Sequence, residues 1–204
     1  MVDMRFLNNL ASADPTPGGG GAAAYCGALA AALASMVGNL TVGKKTYAAV
    51  EHDVQAALAR LDDLRARLIA LIDEDARAFT PLAAAYRMPK DTPEQAAAKD
   101  DALQCALILA CEIPLLIMEN VALVVDEIDF LAHNGSKMAR SDAGVAATFA
   151  RAALEGASLN VFINVASMRD EARAQQYRSQ AECVLSSVVP RCDELFAFVR
   201  GEVS

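Results

Sequence analysis

Apolar positions recur along most of this chain at three- and four-residue intervals, the spacing that gathers them on one face of an α-helix. Phe6, Leu7 and Leu10 mark a short amphipathic start. From Ala22 to Leu40, after Pro17 and four consecutive glycines, Gly27, Ala31, Ala34 and Gly38 form a ridge of small residues against which another helix can pack closely. Val54, Leu58, Leu61, Leu64, Leu68 and Leu71 draw a single stripe along a helix that begins after Tyr47 and runs to about Tyr86. Pro81 is expected to kink or break it, because proline lacks the N–H that an inner helical turn needs.

The next helix announces itself chemically. Thr92 suits an N-cap, Pro93 the first helical position, and Gln95 the residue that completes a capping box. The stripe continues through Leu107, Ile108, Cys111, Leu115 and Met118 to about Phe130, with a bend expected at Pro114. His133, Asn134 and Gly135 form a terminator. Ser141 with Asp142 is read as the cap of a helix reaching about Met168, and a last helix spans roughly Asp170 to Val199, irregular near Pro190. No strand pattern, repeat or linker competes with these elements. The fold expected is all-α: one domain over residues 1–204, a bundle of about five to six long, partly kinked helices.

Composition narrows the function. A net charge of −8 removes the basic stripe that a nucleic-acid binder needs. Five cysteines, at 26, 105, 111, 183 and 192, lack metal-ligand spacing and are odd in number, so they are read as reduced, mostly buried thiols. His52 and His133 have no ligating neighbours in sequence, and no metal is assigned. The uncharged run Gly18–Gly43 is long enough to cross a bilayer, but its glycine, alanine, Ser35, Asn39 and Thr41 fit a buried central helix better, so no membrane span is expected. Met1 to Asn9 lacks the basic start and apolar run of a signal peptide, and a cytoplasmic location is expected.

Four places can carry chemistry. Pro15, Thr16, Pro17 and Gly18 to Gly21 open into a helix whose free amides favour an anion or polar group; the competing reading is a flexible lead-in. Lys44 and Lys45 follow a helix end, where lysine either complements the dipole or is held as an acid or clamp. Asp75 ends an acidic run that is either a solvated face or, near Pro81, aimed inward. Asn160, Asn164 and Ser167 share one helix face among Val161, Phe162, Ile163 and Val165, and such amides, if buried, belong to a helix–helix network or to a ligand.

These blocks together resemble the cyclodeaminase/cyclohydrolase family of folate-ring-opening modules, and the resemblance covers nearly the whole chain. It rests on Pro15-Thr16-Pro17-Gly18-Gly19-Gly20-Gly21, on Leu40-Thr41-Val42-Gly43-Lys44-Lys45, and on Asp75-Ala76-Arg77-Ala78-Phe79. Met88-Pro89-Lys90, Ile113-Pro114-Leu115, Ser141-Asp142-Ala143-Gly144-Val145-Ala146 and Ala152 to Val165 extend it. Two positions depart from the family pattern: Gly21 stands where serine is usual, and Asn134 to Arg140 differs from the usual loop.

The resemblance implies a helical homodimer with the site near the subunit interface, a tetrahydrofolate derivative as substrate, and no cofactor. The activity implied is hydrolysis of the methenyl bridge of 5,10-methenyltetrahydrofolate, with formiminotetrahydrofolate cyclodeamination as the alternative; a non-catalytic helical interaction module is the reading from another class. Roles follow from it as expectations. Asp75 or Asp142 would face the cation or activate water, and Lys44 would donate a proton or stabilise the tetrahedral oxygen. Asn160 and Asn164 would bind the pterin edge, and Pro17, Gly18, Gly19, Gly20 and Lys45 would bind substrate. Lys45, Lys137 and Arg140 are expected to attract the anionic folate tail.

Overall fold

A computed structural model of the chain describes residues 4–204. Six α-helices follow one another: α1 Met4–Leu10, α2 Gly19–Asn39, α3 Glu51–Arg87, α4 Pro93–Asn134, α5 Arg140–Val165 and α6 Glu171–Val203. Short 3-10 turns at Lys45–Val50 and Lys137–Ala139 lead into α3 and α5, and no strand occurs among the described residues. The all-α bundle expected from the pattern is the fold.

Antiparallel neighbours build it. α2 meets α3 with Gly38 against Leu58 at one end and Gly20 against Asp75 at the other. It meets α5 in the same sense, Cys26 near Phe149 and Gly19 near Asn160. α4 closes the core behind α2, with Val121 lying over Gly27, and α6 packs along α5 where Val199 covers Gly144. The small-residue ridge is what permits this. A Cβ on Gly27 would stand 2.7 Å from Val121 Cγ2, and one on Gly38 would stand 2.8 Å from Leu58 Cδ2, both inside van der Waals contact. α2 and α4 are long and apolar enough to cross a membrane by length and composition, yet 61% and 50% of their most apolar windows are buried inside the bundle. They are read here as core helices.

Local signals act largely as expected. Thr92 Oγ1 accepts the Gln95 N–H at 3.2 Å, and Gln95 Oε1 accepts the Asp91 N–H at 3.0 Å. Asp170 caps α6 by accepting the Arg173 N–H at 3.0 Å. Three expectations need correction. Ser141 and Asp142 do not cap α5: the 3-10 turn feeds straight into the helix, Ala139 holds the cap position without a side-chain bond, and both residues lie in the first turn. The cysteines are not mostly buried, since only Cys111 and Cys192 are, with Cys26 half-buried and Cys105 and Cys183 exposed. Of the kink or break expected at Pro81, the break does not occur. Pro81, Pro114 and Pro190 all lie inside continuous helices, so packing outweighs the lost backbone bond.

The loss at Pro114 has a visible remedy. Proline at that position leaves the carbonyl of Ala110 without its helical donor, and Asn164 of α5 donates Nδ2–H to it at 2.7 Å. The apolar face of α2 between α3 and α5 is not covered. Leu29, Met36 and Leu40 are 39%, 47% and 41% exposed, with Tyr25 and Leu33 half-buried beside them.

Gly27→Val should cost about 1–3 kcal/mol by overpacking against Val121, and Thr92→Ala about 1 kcal/mol through the lost cap. Urea unfolding with an unchanged denaturant slope checks both; a Gly27→Val protein as stable as the parent would mean that α2 and α4 do not touch there.

Candidate active site

The first turn of α2 is the floor of a cavity of about 290 Å³. Pro15, Thr16, Gly18, Gly19 and Gly20 line one side, Asp75, Ala78 and Phe79 of α3 another, Ala110 and Pro114 of α4 a third, and Asn160, Ile163 and Asn164 of α5 the fourth. Four segments far apart in sequence meet because α3, α4 and α5 all pass the N-terminus of α2. The volume lies near the lower end of small-molecule sites, roughly 300–1,000 Å³, enough for a bicyclic head group with its tail outside.

Gly18 is the N-cap of α2, with extended backbone and no side chain of its own to accept the amides that follow it. Gly20 is a glycine for a steric reason. A Cβ there would fall 2.2 Å from Asp75 Oδ1, because the carboxylate lies directly on the helix end. Burial raises the Asp75 pKa above the usual carboxylate range, and the Gly21 N–H opposes that shift more weakly. No cation of its own chain pairs with Asp75 among the described residues.

The two asparagines differ in what they do. Asn160 Nδ2 donates to the Gly156 carbonyl of its own helix at 3.0 Å, whereas Asn164 Nδ2 bridges to Ala110 on α4. Neither side-chain oxygen has a protein donor among the described residues, leaving each as an acceptor for a ligand in the cavity. Both readings of the polar stripe therefore hold for Asn164: it joins helices and faces the cavity. Ser167 lies past the end of α5 and does not line it.

The structure divides the expected site residues between two ends of the bundle. Gly18, Gly19, Gly20, Asp75, Asn160 and Asn164 converge, with the cis peptide Thr16–Pro17 leading in. Lys44, Lys45 and Asp142 do not reach the cavity of their own chain. Lys44 lies beyond the far end of α2, about 30 Å away along the helix, where its Nζ donates to Ser136 Oγ at 3.1 Å. Asp142 opens α5, and Asn160 stands near its other end. Arg140 is not free to attract a folate tail: its guanidinium is buried, bound to Glu202 and set 5.6 Å over the Phe198 ring.

Phe79, Ile163 and Pro114 supply apolar walls that reasoning from single polar residues did not assign. Phe79 and Pro114 stood in the sequence as neighbours of Asp75 and as a helix-interior proline, which were the available signals. A second cavity of about 360 Å³ between α4 and α6 is different in kind. Tyr177 donates to Glu112 Oε1 there at 3.0 Å, and burial with that carboxylate pushes its phenol up to about 12, so it stays a neutral structural donor. No group of three or more His, Cys, Asp or Glu side chains among the described residues is placed to hold a metal ion.

The family model described as formiminotransferase-cyclodeaminase matches residues 4–183. A methenyltetrahydrofolate cyclohydrolase of Methylorubrum extorquens is 40% identical over 98% of this chain and 96% of its own. A formimidoyltransferase-cyclodeaminase of Mus musculus is 34% identical over 91% of this chain but only 36% of its own, so this chain spans about a third of that longer protein. The crystal structure of a formiminotetrahydrofolate cyclodeaminase from Thermotoga maritima superposes with a TM-score of 0.82 at 27% identity, covering 98% of this chain and 97% of that one. Fold and sequence lead to one statement of kinship: the chain belongs to the formiminotransferase-cyclodeaminase family.

Proposed function

We propose that this protein hydrolyses 5,10-methenyltetrahydrofolate to 10-formyltetrahydrofolate. The observation that carries the reading is Asp75, a part-buried carboxylate on a glycine helix end, with no cation of its own chain beside it among the described residues. The substrate's one-carbon unit bridges two nitrogens as an amidinium-like cation, which would complete that unmatched charge. The full-length relative from Methylorubrum extorquens supports the choice of reaction.

Water adds to the bridging carbon and gives up a proton, forming a tetrahedral carbinol. The carbinol O–H then loses its proton as the bond from that carbon to the pterin-ring nitrogen breaks, the nitrogen takes a proton, a formyl group remains on the other nitrogen, and one proton is released overall. Asp75 is placed to face the cation and to take the proton of water. The Asn160 and Asn164 oxygens accept from the pterin edge, and the first amides of α2 hold an acceptor atom of the ligand. Water is the only co-reactant, so no cofactor enters. Cyclodeamination of the formimino derivative, the activity named for the Thermotoga maritima relative, is the second reading and uses the same cavity.

A homodimer is part of the proposal. α2 carries no charge, and its open face from Ala22 to Leu40 offers Tyr25, Leu29, Leu33 and Met36, an apolar surface suited to pairing with itself about a two-fold axis.

Purified protein given methenyl- and formimino-tetrahydrofolate separately should open the first without ammonia; ammonia from the second alone would select the cyclodeaminase. Asp75→Asn should lower turnover by about 100-fold or more. The same variant should be more heat-stable at neutral pH. Because burial disfavours the ionised form, the folded protein keeps this proton to higher pH than the unfolded chain, so stability falls as pH rises past about 4, the unfolded carboxylate value. The gap in Tm between Asp75→Asn and the parent should therefore close in acid. Met36→Glu should yield monomers by sedimentation with helical content kept, and an unaltered dimer would reject α2 as the interface.

A further inference from the structure

Gly19, Gly20 and Gly21 open α2 beside Asp75 and Asn160, and they differ in how much space surrounds them. A Cβ on Gly20 would fall 2.2 Å from Asp75 Oδ1, so no other residue fits there. At Gly21 there is room. A Cβ there would stand 3.5 Å from Pro17 Cβ, 3.6 Å from Ile72 Cγ2 and 3.9 Å from Asp75 Oδ2, all ordinary van der Waals distances. Nor does the backbone demand glycine, since Gly43 is the one glycine with positive φ among the described residues. Packing and backbone would both accept alanine, which helices favour over glycine. The glycine at 21 therefore answers neither steric need nor helix propensity.

Its surroundings show what a larger residue would change. Of the three atoms nearest that Cβ, only Asp75 Oδ2 is polar. A side chain one atom longer than alanine and ending in a hydroxyl would bring it within hydrogen-bond reach of Oδ2, about 2.5–3.0 Å. With glycine, the Gly21 N–H is the donor that the carboxylate meets. No charged group faces Asp75 from its neighbours: α2 carries none, and α4 and α5 line the cavity with Ala110, Pro114, Asn160, Ile163 and Asn164. On its own helix Glu74 is paired with Arg67, while Asp73 and Arg77 are exposed. Burial is therefore the main influence on Asp75, and it raises the pKa above the usual carboxylate range.

We infer that Gly21 is a positioning residue for the hydrolysis: by presenting no side chain, and so no hydroxyl, to Asp75 Oδ2, it leaves that oxygen open to accept the proton of the attacking water. This deepens the hydrolase reading and rests on it for the use made of that oxygen. The hydrogen bonding of the carboxylate itself rests on the geometry alone. A hydroxyl at position 21 would donate to the ionised carboxylate, occupy one of its acceptor sites and stabilise its charge, making Asp75 a weaker base. General-base catalysis loses rate as the base weakens.

Gly21→Ser tests this, with Gly21→Ala as the reference that adds the Cβ without the hydroxyl. Carbon-13 NMR titration of the Asp75 carboxyl, assigned by its loss in Asp75→Asn, is run on the protein without ligand. Gly21→Ser should ionise at lower pH than Gly21→Ala, because the added hydrogen bond favours the charged form. With 5,10-methenyltetrahydrofolate, the acid limb of kcat/KM, which reports the free protein, should move to lower pH by the same displacement. Its plateau should lie roughly 3- to 10-fold below that of the alanine protein, a fraction of what a positioned base contributes. Identical titration of the two variants, or a serine protein faster than the alanine one, overturns the inference. So does a serine protein that loses the helical spectrum kept by the alanine one, since the space for a hydroxyl would then be missing. If the parent does not open the methenyl folate at all, the hydrolase reading fails, and the titration still decides whether position 21 governs the carboxylate.

Discussion

The near contact of α2 with its neighbours is the constraint on which the rest depends. α2 touches α3, α4 and α5, and it can do so because most of the contacting positions carry a hydrogen or a methyl group. Where Gly27 meets Val121 and Gly38 meets Leu58, any larger residue would push a helix outward. Gly20 extends the same geometry into chemistry: its missing side chain is the space in which the Asp75 carboxylate rests. A close-packed core transmits such a displacement rather than absorbing it, so the width of the cavity is set by the same ridge that sets the fold.

Proline and asparagine give a second example of structure and function sharing atoms. Pro114 costs α4 a backbone bond, and Asn164 answers it from α5. The bond fixes one side-chain nitrogen against the protein and leaves the oxygen toward the cavity, which orients the amide for a ligand. A side chain positioned in this way loses little freedom when it binds, the general advantage of preorganisation. Asp75 shows the opposite tendency: burial raises the free energy of its ionised form and so readies it for a cation.

A small cavity in a single chain is also consistent with a site completed by assembly. α2 has helices on three sides and a bare apolar stripe on the fourth, although exposed apolar surface on a stable monomer is usually dispersed. Pairing would remove that stripe from water and close the mouth of the cavity in one step, linking catalytic competence to association.

Much was determined by the sequence itself. Helix period, the Thr92-Pro93-Gln95 start, the absence of strand patterns and the small-residue ridge specify an all-helical bundle, because each is a local preference or a repeat that one element carries alone. The glycine turn, Asp75 and the asparagine pair were visible as unusual chemistry on particular helix faces. Only the tertiary structure decided which of them meet. Lys44 follows the same helix that begins with the glycines, and Asp142 shares a helix with Asn160, but a helix places its ends about 1.5 Å per residue apart, so nearness in sequence pattern became distance in space. The role of Asn164 toward Ala110 likewise needed two helices in register, and the bare face of α2 became apparent only once its other faces were covered. A sequence records what each helix prefers; packing decides which preferences are brought within reach of one another.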